Sequence, residues 1–364
     1  MTAPYSLDAA IDSFFASNPT TATRQQCDEF ALAHGTPVTP VQIQGMFSYT
    51  ALVGTDKIFQ FRVPSSSINA GVWNLAATAH RELVPRCKYH GTVGGSQPLS
   101  IYEMNKLSGT SYILARDPDS VACQERTVHD LATYLSSPDA VVLSSMLINH
   151  ITIRFFAQSW NNAQPPSSNP TTAPSPLLSE FTQALTTLST SLPARFAPRL
   201  TALLHRLPAV FSSLPLVLTH GDLCEMNLLV DPATGQLTGV VDWAEARILP
   251  FGLALYGLEN VLGWMDGEGW HYFEQAPALR ESFWRAFQEQ TGVGEEMMES
   301  IEVARMVGLF YRYGFVFDGK EIVRVVGEGG MRYSDAFCGV YSQTEPGVGF
   351  VAFWVVNGRS SKFP

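Results

Sequence analysis

Three oxygen-bearing side chains fall within one short stretch of the chain: Asp222, Asn227 and Asp242. The first two lie five positions apart in the run from His220 and Gly221 to Asn227, and the third follows the apolar run Leu237 to Val241. Phosphoryl transfer from a nucleotide needs such a set: one carboxylate for the incoming hydroxyl, and an amide with a second carboxylate for magnesium. Asn and Asp oxygens suit a hard cation. Any one of these residues alone would read as a turn cap or a strand-end acid. Their joint pattern points to chemistry.

The elements that must hold this set can be read on either side of it. Leu216 to Leu218 and Leu228 to Val230 are apolar and strand-like, so the segment between them is a tight loop. Asp231 to Gly235 supplies a turn into the strand Leu237 to Val241, and pairing of the two strands would bring Asp242 beside Asn227. Further upstream, Ser6 to Phe15 and Ala22 to His34 read as helices, followed by alternating strands at 41–44, 49–53 and 57–62. A helix over Trp73 to Leu83 precedes strands at 88–93 and 99–102. Beyond residue 121 helices dominate: 128–135, 141–160, 178–207 with a break at Pro193, 253–262, 279–290 and 297–313. Residues 161–176, rich in Pro, Ser, Thr and Asn, read as a loop. A β-rich first part, 1–104, thus precedes a larger helical part, 105–364.

The bulk properties agree with a globular enzyme. The chain has 364 residues, 46% of them apolar and only 15% charged, with a net charge of −10. That charge argues against nucleic acid as a partner, but not against a nucleotide that arrives with Mg²⁺. The cysteines at 27, 87, 123, 224 and 338 form no C-x-x-C pair, which suggests neither zinc nor a disulfide framework. No apolar run reaches membrane-spanning length, and the first 18 residues lack a signal-peptide pattern. The expectation is a cytoplasmic protein with no membrane contact and an oligomeric state that the sequence leaves open.

His220-Gly-Asp222, Asn227 and Asp242 resemble the aminoglycoside phosphotransferase family, and residues 243–259 resemble its many uncharacterised fungal members. The resemblance implies an α+β, bilobal protein-kinase-like fold: a small antiparallel-sheet N-lobe, a larger mainly helical C-lobe, and ATP or GTP between them. It implies that Asp222 is the catalytic base and that Asn227 and Asp242 bind Mg²⁺. His220 would brace the loop, and Trp243 would pack beneath it.

The N-terminal part is less faithful to the family pattern. Gln44 to Tyr49 contains one glycine rather than a glycine-rich loop. Gly45 and Ser48 could contact phosphate, or the segment could be a plain hairpin turn. A basic residue on the third strand should grip the α- and β-phosphates; Lys57 and Arg62 are the candidates, with Arg62 preferred for its planar fork. Glu82 is the available partner acid, though a solvated charge near a helix end is the competing reading. Backbone groups at Glu103 and Met104 would receive adenine.

The acceptor is hardest to read. Glu245, Glu259, Asp266, Glu268 and Glu274 are interleaved with Trp264, Trp270, Tyr272, Phe273 and Trp284. Acids beside aromatics could bind an amine-bearing substrate, or form a helix pair with a solvated acidic face and a buried aromatic one. Glu245 is the single candidate substrate contact. The leading expectation is therefore an ATP- and Mg²⁺-dependent kinase of a small-molecule hydroxyl. The alternative is a non-catalytic nucleotide-binding pseudokinase on the same fold.

Overall fold

The computed structural model describes residues 5–117, 119–132, 155–164, 175–318 and 321–339. Much of the helix expected at 141–160 and of the loop expected at 161–176 falls outside these residues, as does everything beyond 339.

Two helices open the chain, α1 (Leu7–Ser17) and α2 (Arg24–Leu32). The Thr23 hydroxyl accepts from the Gln26 backbone N–H, while the Gln26 side-chain oxygen accepts from the Thr23 N–H, closing a capping box that sets the start of α2. Five strands follow: β1 (Val38–Pro40), β2 (Ser48–Val53), β3 (Lys57–Arg62), β4 (Cys87–Val93) and β5 (Leu99–Asn105), with α3 (Ala70–Ala79) between β3 and β4. They form one antiparallel sheet in the order β1-β2-β3-β5-β4.

The period of two divides this sheet into two faces. Tyr49, Ala51, Val53, Phe59, Phe61, Leu99 and Ile101 form one cluster with Ile11, Phe14, Cys27 and Ala31 of α1 and α2. Ile58, Tyr102 and Met104 point the other way and join Trp73 of α3 in the large core of the second part.

That second part is mainly helical: α4 (Val121–Ala132), α5 (Phe155–Asn161), α6 (Pro176–Ser191), α7 (Ala197–Ser213), α8 (Ala276–Thr291), α9 (Glu295–Gly314) and α10 (Arg332–Gly339). Phe156, Phe251, Phe283, Phe287 and Phe310 lie at its centre, none more than 3% exposed. Short strands cross it: β6 (Thr110–Ser111), β7 (Leu216–Thr219), β8 (Leu228–Val230), β9 (Leu237–Val240), β10 (Arg247–Pro250), β11 (Gly263–Met265), β12 (Trp270–Tyr272), β13 (Phe315–Asp318) and β14 (Glu321–Val325). The architecture is α+β, a small antiparallel sheet with its own helices beside a larger helical body.

Three elements differ from the sequence reading. The alternation at 41–44 is not a strand; the Gln44 side chain bonds the Val41 and Thr50 carbonyls, and its carbonyl accepts from the Thr50 N–H, each at 2.9 Å. These side-chain bonds take the place of ladder pairing and close a loop. The helix expected at 73–83 starts and stops earlier, with Leu83 and Val84 N–H groups both folding back onto the His80 carbonyl. The helix expected at 253–262 is a series of tight turns with only Tyr256–Glu259 helical. Its course is dictated by α9, where a Cβ at Gly308 would collide with the Leu253 carbonyl.

Candidate active site

Strand β7 delivers the loop that carries Asp222. His220 follows it, fully buried, with Nε2 at 2.9 Å from the Val241 carbonyl, so that nitrogen carries the proton. Nδ1 is then free to accept the Asp222 backbone N–H at 3.3 Å. Burial depresses the imidazole pKa against the opposing pull of Asp222. A neutral ring bonded at both nitrogens braces the loop. Trp243, 1% exposed, stacks edge-on to it at 4.7 Å and donates to the Val240 carbonyl at 2.8 Å.

Strands β8 and β9 pair antiparallel, and the Val241 N–H donates to the Asn227 carbonyl at 2.9 Å. Asn227 and Asp242 are thereby brought to the same end of the hairpin. The Asn227 amide nitrogen donates to the Asp222 carbonyl at 2.8 Å and lies 3.3 Å from its carboxylate, which leaves the amide oxygen outward as an acceptor. Asp242 sits in the left-handed region at φ 61°, the only non-glycine to do so among the described residues. An L-residue there costs energy and marks a backbone held by its surroundings.

The sheet parity separates the two basic candidates. Lys57 shares the face of Phe59 and Phe61, and its ammonium lies 3.4 Å from the His34 carbonyl at the end of α2. Arg62 lies on the opposite face and reaches Asp242 Oδ1 at 2.9 Å. Ser66 holds the guanidinium through its carbonyl at 2.8 Å and its hydroxyl at 2.6 Å, and Gln60 through its amide oxygen at 3.0 Å. Neutral acceptors orient this arginine. Glu82 is not among its partners and stands exposed beyond the end of α3.

Ser48 is directly opposite Arg62 in the β2–β3 register, and Gly45 bridges to Ser48, so the loop at 41–47 ends beside the arginine. At the other end of the sheet the Glu103 side chain turns away to bond His90 at 2.6 Å, so only its backbone can serve the cleft. Met104 projects to the cleft face and is 8% exposed.

Asp222 also meets Arg312, a residue 90 positions away near the end of α9, in a direct ion pair with Oδ1. Sequence reading missed it. The available signal was Arg305 and Arg312 spaced seven apart on either side of the apolar run 306–311, which places both on one face. Glu245 lies half-buried beside this pair; burial, then the charge of Asp222, pushes its carboxyl up to about 7.

Two of the other acids of the acceptor region are committed elsewhere. Glu259 is wholly buried against Arg280 at 2.7 Å and Arg305 at 3.5 Å, and takes a bond from the Tyr272 hydroxyl at 2.9 Å. Asp266 pairs with His271 at 2.8 Å, and Glu268 and Glu274 are exposed. No cluster of three His, Cys, Asp or Glu that could hold a metal occurs among the described residues. The Asn227 oxygen and the Asp242 carboxylate remain as a two-residue donor set. Such a set suits Mg²⁺, which keeps waters and phosphate oxygens in its shell.

The sequence model of the phosphotransferase enzyme family, APH, matches residues 73–294. The chain belongs to this family. Its architecture is α+β, in two parts. Solved structures similar to this phosphotransferase-family chain include a GDP complex of wild-type aminoglycoside 2'-phosphotransferase-IIIa, at 16% identity over 79% of this chain and 88% of that one, with a TM-score of 0.46. A macrolide 2'-phosphotransferase type I is 16% identical over 81% and 92% of the two chains, TM-score 0.44. An aminoglycoside-3'-phosphotransferase of type VIII is 16% identical over 78% and 98%, TM-score 0.42. No curated protein matches the sequence. No helix among the described residues is long and apolar enough to cross a membrane.

Proposed function

We propose that this phosphotransferase-family chain is a kinase that uses ATP, or GTP in its place, with Mg²⁺, acting on a hydroxyl of a small molecule. The observation that carries the reading is the convergence of Asp222, Asn227 and Asp242 at one cleft, with Arg62 arriving from the sheet. Asp222 would receive the acceptor proton. Asn227 and Asp242 would hold Mg²⁺, which neutralises charge on the transferring phosphate. Arg62 would grip phosphate oxygens once the nucleotide replaces its contact with Asp242. Gly45 and Ser48 would border the phosphates, the backbone of Glu103 and Met104 would border the adenine, and Glu245 would line the acceptor side. The lobes would divide at about Met104.

Positioning and electrostatics supply most of the rate in such a site. The test is Mg²⁺-dependent nucleotide hydrolysis, with and without acceptor, in wild type and Asp222→Asn. The variant is expected to lose about a thousandfold or more in turnover while its melting temperature shifts by a few degrees at most. Full activity in Asp222→Asn would remove the residue from its role.

A second reading, a nucleotide-binding pseudokinase, draws on the fact that Asp222 and Asp242 are each engaged by an arginine and that no acid joins Arg62 from α3. Thermal stabilisation by ATP–Mg²⁺ without turnover of any acceptor, water included, would favour it.

A further inference from the structure

We propose that Arg312 is the acceptor-selecting residue and that the acceptor carries an anionic group, a carboxylate or a phosphate, two or three bonds from the hydroxyl that is phosphorylated. The proposal rests on the kinase reading above.

Arg312 is held at one point. A single nitrogen meets Asp222 Oδ1, and no other hydrogen bond of its guanidinium occurs among the described residues. A guanidinium has five N–H donors in a fixed fork, so most of this one is uncommitted. Its side chain is 26% exposed and that of its partner Asp222 20%. Other arginines nearby are spent: Arg247 places two nitrogens on Glu180, and Arg280 places two on Glu259.

The geometry then selects by charge. The acceptor hydroxyl must come within about 3 Å of Asp222 to hand over its proton. The substituent beside that hydroxyl falls against the open side of Arg312. Carboxylate and phosphate match the guanidinium fork in two-point contact. An ammonium in that place would face the arginine; of the acids around it Glu259 is sealed by Arg280 and Arg305 and Glu225 lies 3.7 Å from Arg116, which leaves the half-buried Glu245 as the counter-charge on that side. In the reaction the hydroxyl oxygen forms a bond to the terminal phosphorus of a nucleoside triphosphate. The bond from that phosphorus to the bridging oxygen breaks, the nucleoside diphosphate leaves with the electron pair, and the hydroxyl proton passes to Asp222.

The experiment measures kcat and KM with ATP and Mg²⁺ for a panel of hydroxy acids and sugar phosphates against amino alcohols and aminosugars. Anionic acceptors are expected to exceed cationic ones at least a hundredfold in kcat/KM, and the two anionic arms show which group is bound. Arg312→Gln is expected to raise the KM of the preferred anion at least tenfold, with the KM of ATP moving less than twofold. Arg312→Lys, which keeps charge but loses the fork, should fall between. Preference for amines, absence of any anion among the acceptors turned over, or an anion KM unmoved in both variants would overturn the proposal. If Asp222-dependent hydrolysis of ATP persists in those cases, the kinase reading stands without it. If no hydrolysis or transfer occurs at all, both fall.

Discussion

Glu259 and Asp222 are carboxylates in the same half of the molecule, each paired with an arginine of α9, and they are arranged in opposite ways. Glu259 has 0% side-chain exposure and spends both oxygens on Arg280, Arg305 and Tyr272. Burial pushes its carboxyl up, but Arg280 and the other partners outweigh burial and hold it down to about 2. Asp222 is 20% exposed, gives one oxygen to Arg312, and has only the Asn227 amide at 3.3 Å on the other. A closed pair fixes architecture; an open one keeps lone pairs and donors for a third party. The distinction is invisible in a count of ion pairs.

Breaking the closed cluster should have the largest effect on stability. Glu259→Ala leaves two buried guanidinium groups without their shared partner, at a cost of about 3–5 kcal/mol, read as a fall in the urea midpoint. Asp222→Asn should cost no more than about 1 kcal/mol. Equal losses from both would erase the contrast between them.

The acid limb of the stability curve sharpens it further. His80 is wholly buried between Phe155 and Trp243, and burial lowers its imidazole pKa to about 4 despite the bond it donates to the Gln158 side-chain oxygen. The unfolded imidazole takes up its proton near pH 6.5 and the folded one only near 4, so stability is full above 6.5 and declines as the pH falls toward 4. A shift of this size corresponds to roughly 3 kcal/mol. Glu259, with its pKa depressed, has its stabilisation intact above pH 4.5 and loses it as the pH falls toward about 2. Melting temperature followed from pH 7 to 4.5 should therefore decline in wild type and stay flatter in His80→Asn. An unchanged slope in that variant would assign the limb elsewhere.

The smallest effect on function is expected at the Arg62–Asp242 pair. Arg62→Lys keeps a charge near Asp242 but gives up the fork held by Ser66 and Gln60. ATP–Mg²⁺ affinity by calorimetry should fall about tenfold, about 1.4 kcal/mol, with little change in melting temperature. An unaltered affinity would mean that Arg62 serves Asp242 alone.

How much of this was legible in the sequence depended on distance along the chain. The segment 220–242 could be read because two strands and a turn bring its members together locally. The antiparallel sheet was legible from alternation, and the same alternation assigns Lys57 and Arg62 to different faces. The loop at 41–44 misled because polar side chains can satisfy backbone groups as strands do, and Gln44 does so. The turns at 253–262 were read as helix because their apolar spacing is helical, while the close passage of Gly308 that forbids the helix lies some 50 residues away. Arg312 was illegible for the same reason: its partner is known only after α9 has packed against the loop. The acids at 245–274 left an amine site and a plain packing role both open because sequence shows charges without their counter-charges, and the arginines that close Glu259 come from α8 and α9.

One small residue ties the cleft together. Gly221 sits at φ 85°, and a Cβ there would run into the carbonyl of Glu245. The loop that carries Asp222 and the turn that follows Asp242 are thus keyed into each other at van der Waals distance. The bonds from His220 to the Val241 carbonyl and from the Val241 N–H to the Asn227 carbonyl hold them there, so the span between the two carboxylates is a gauge set by the body of the protein. Arg62 meets this gauge from the sheet, its guanidinium set in place by Ser66 and Gln60, so the depth at which a bound anion would sit is fixed from both sides.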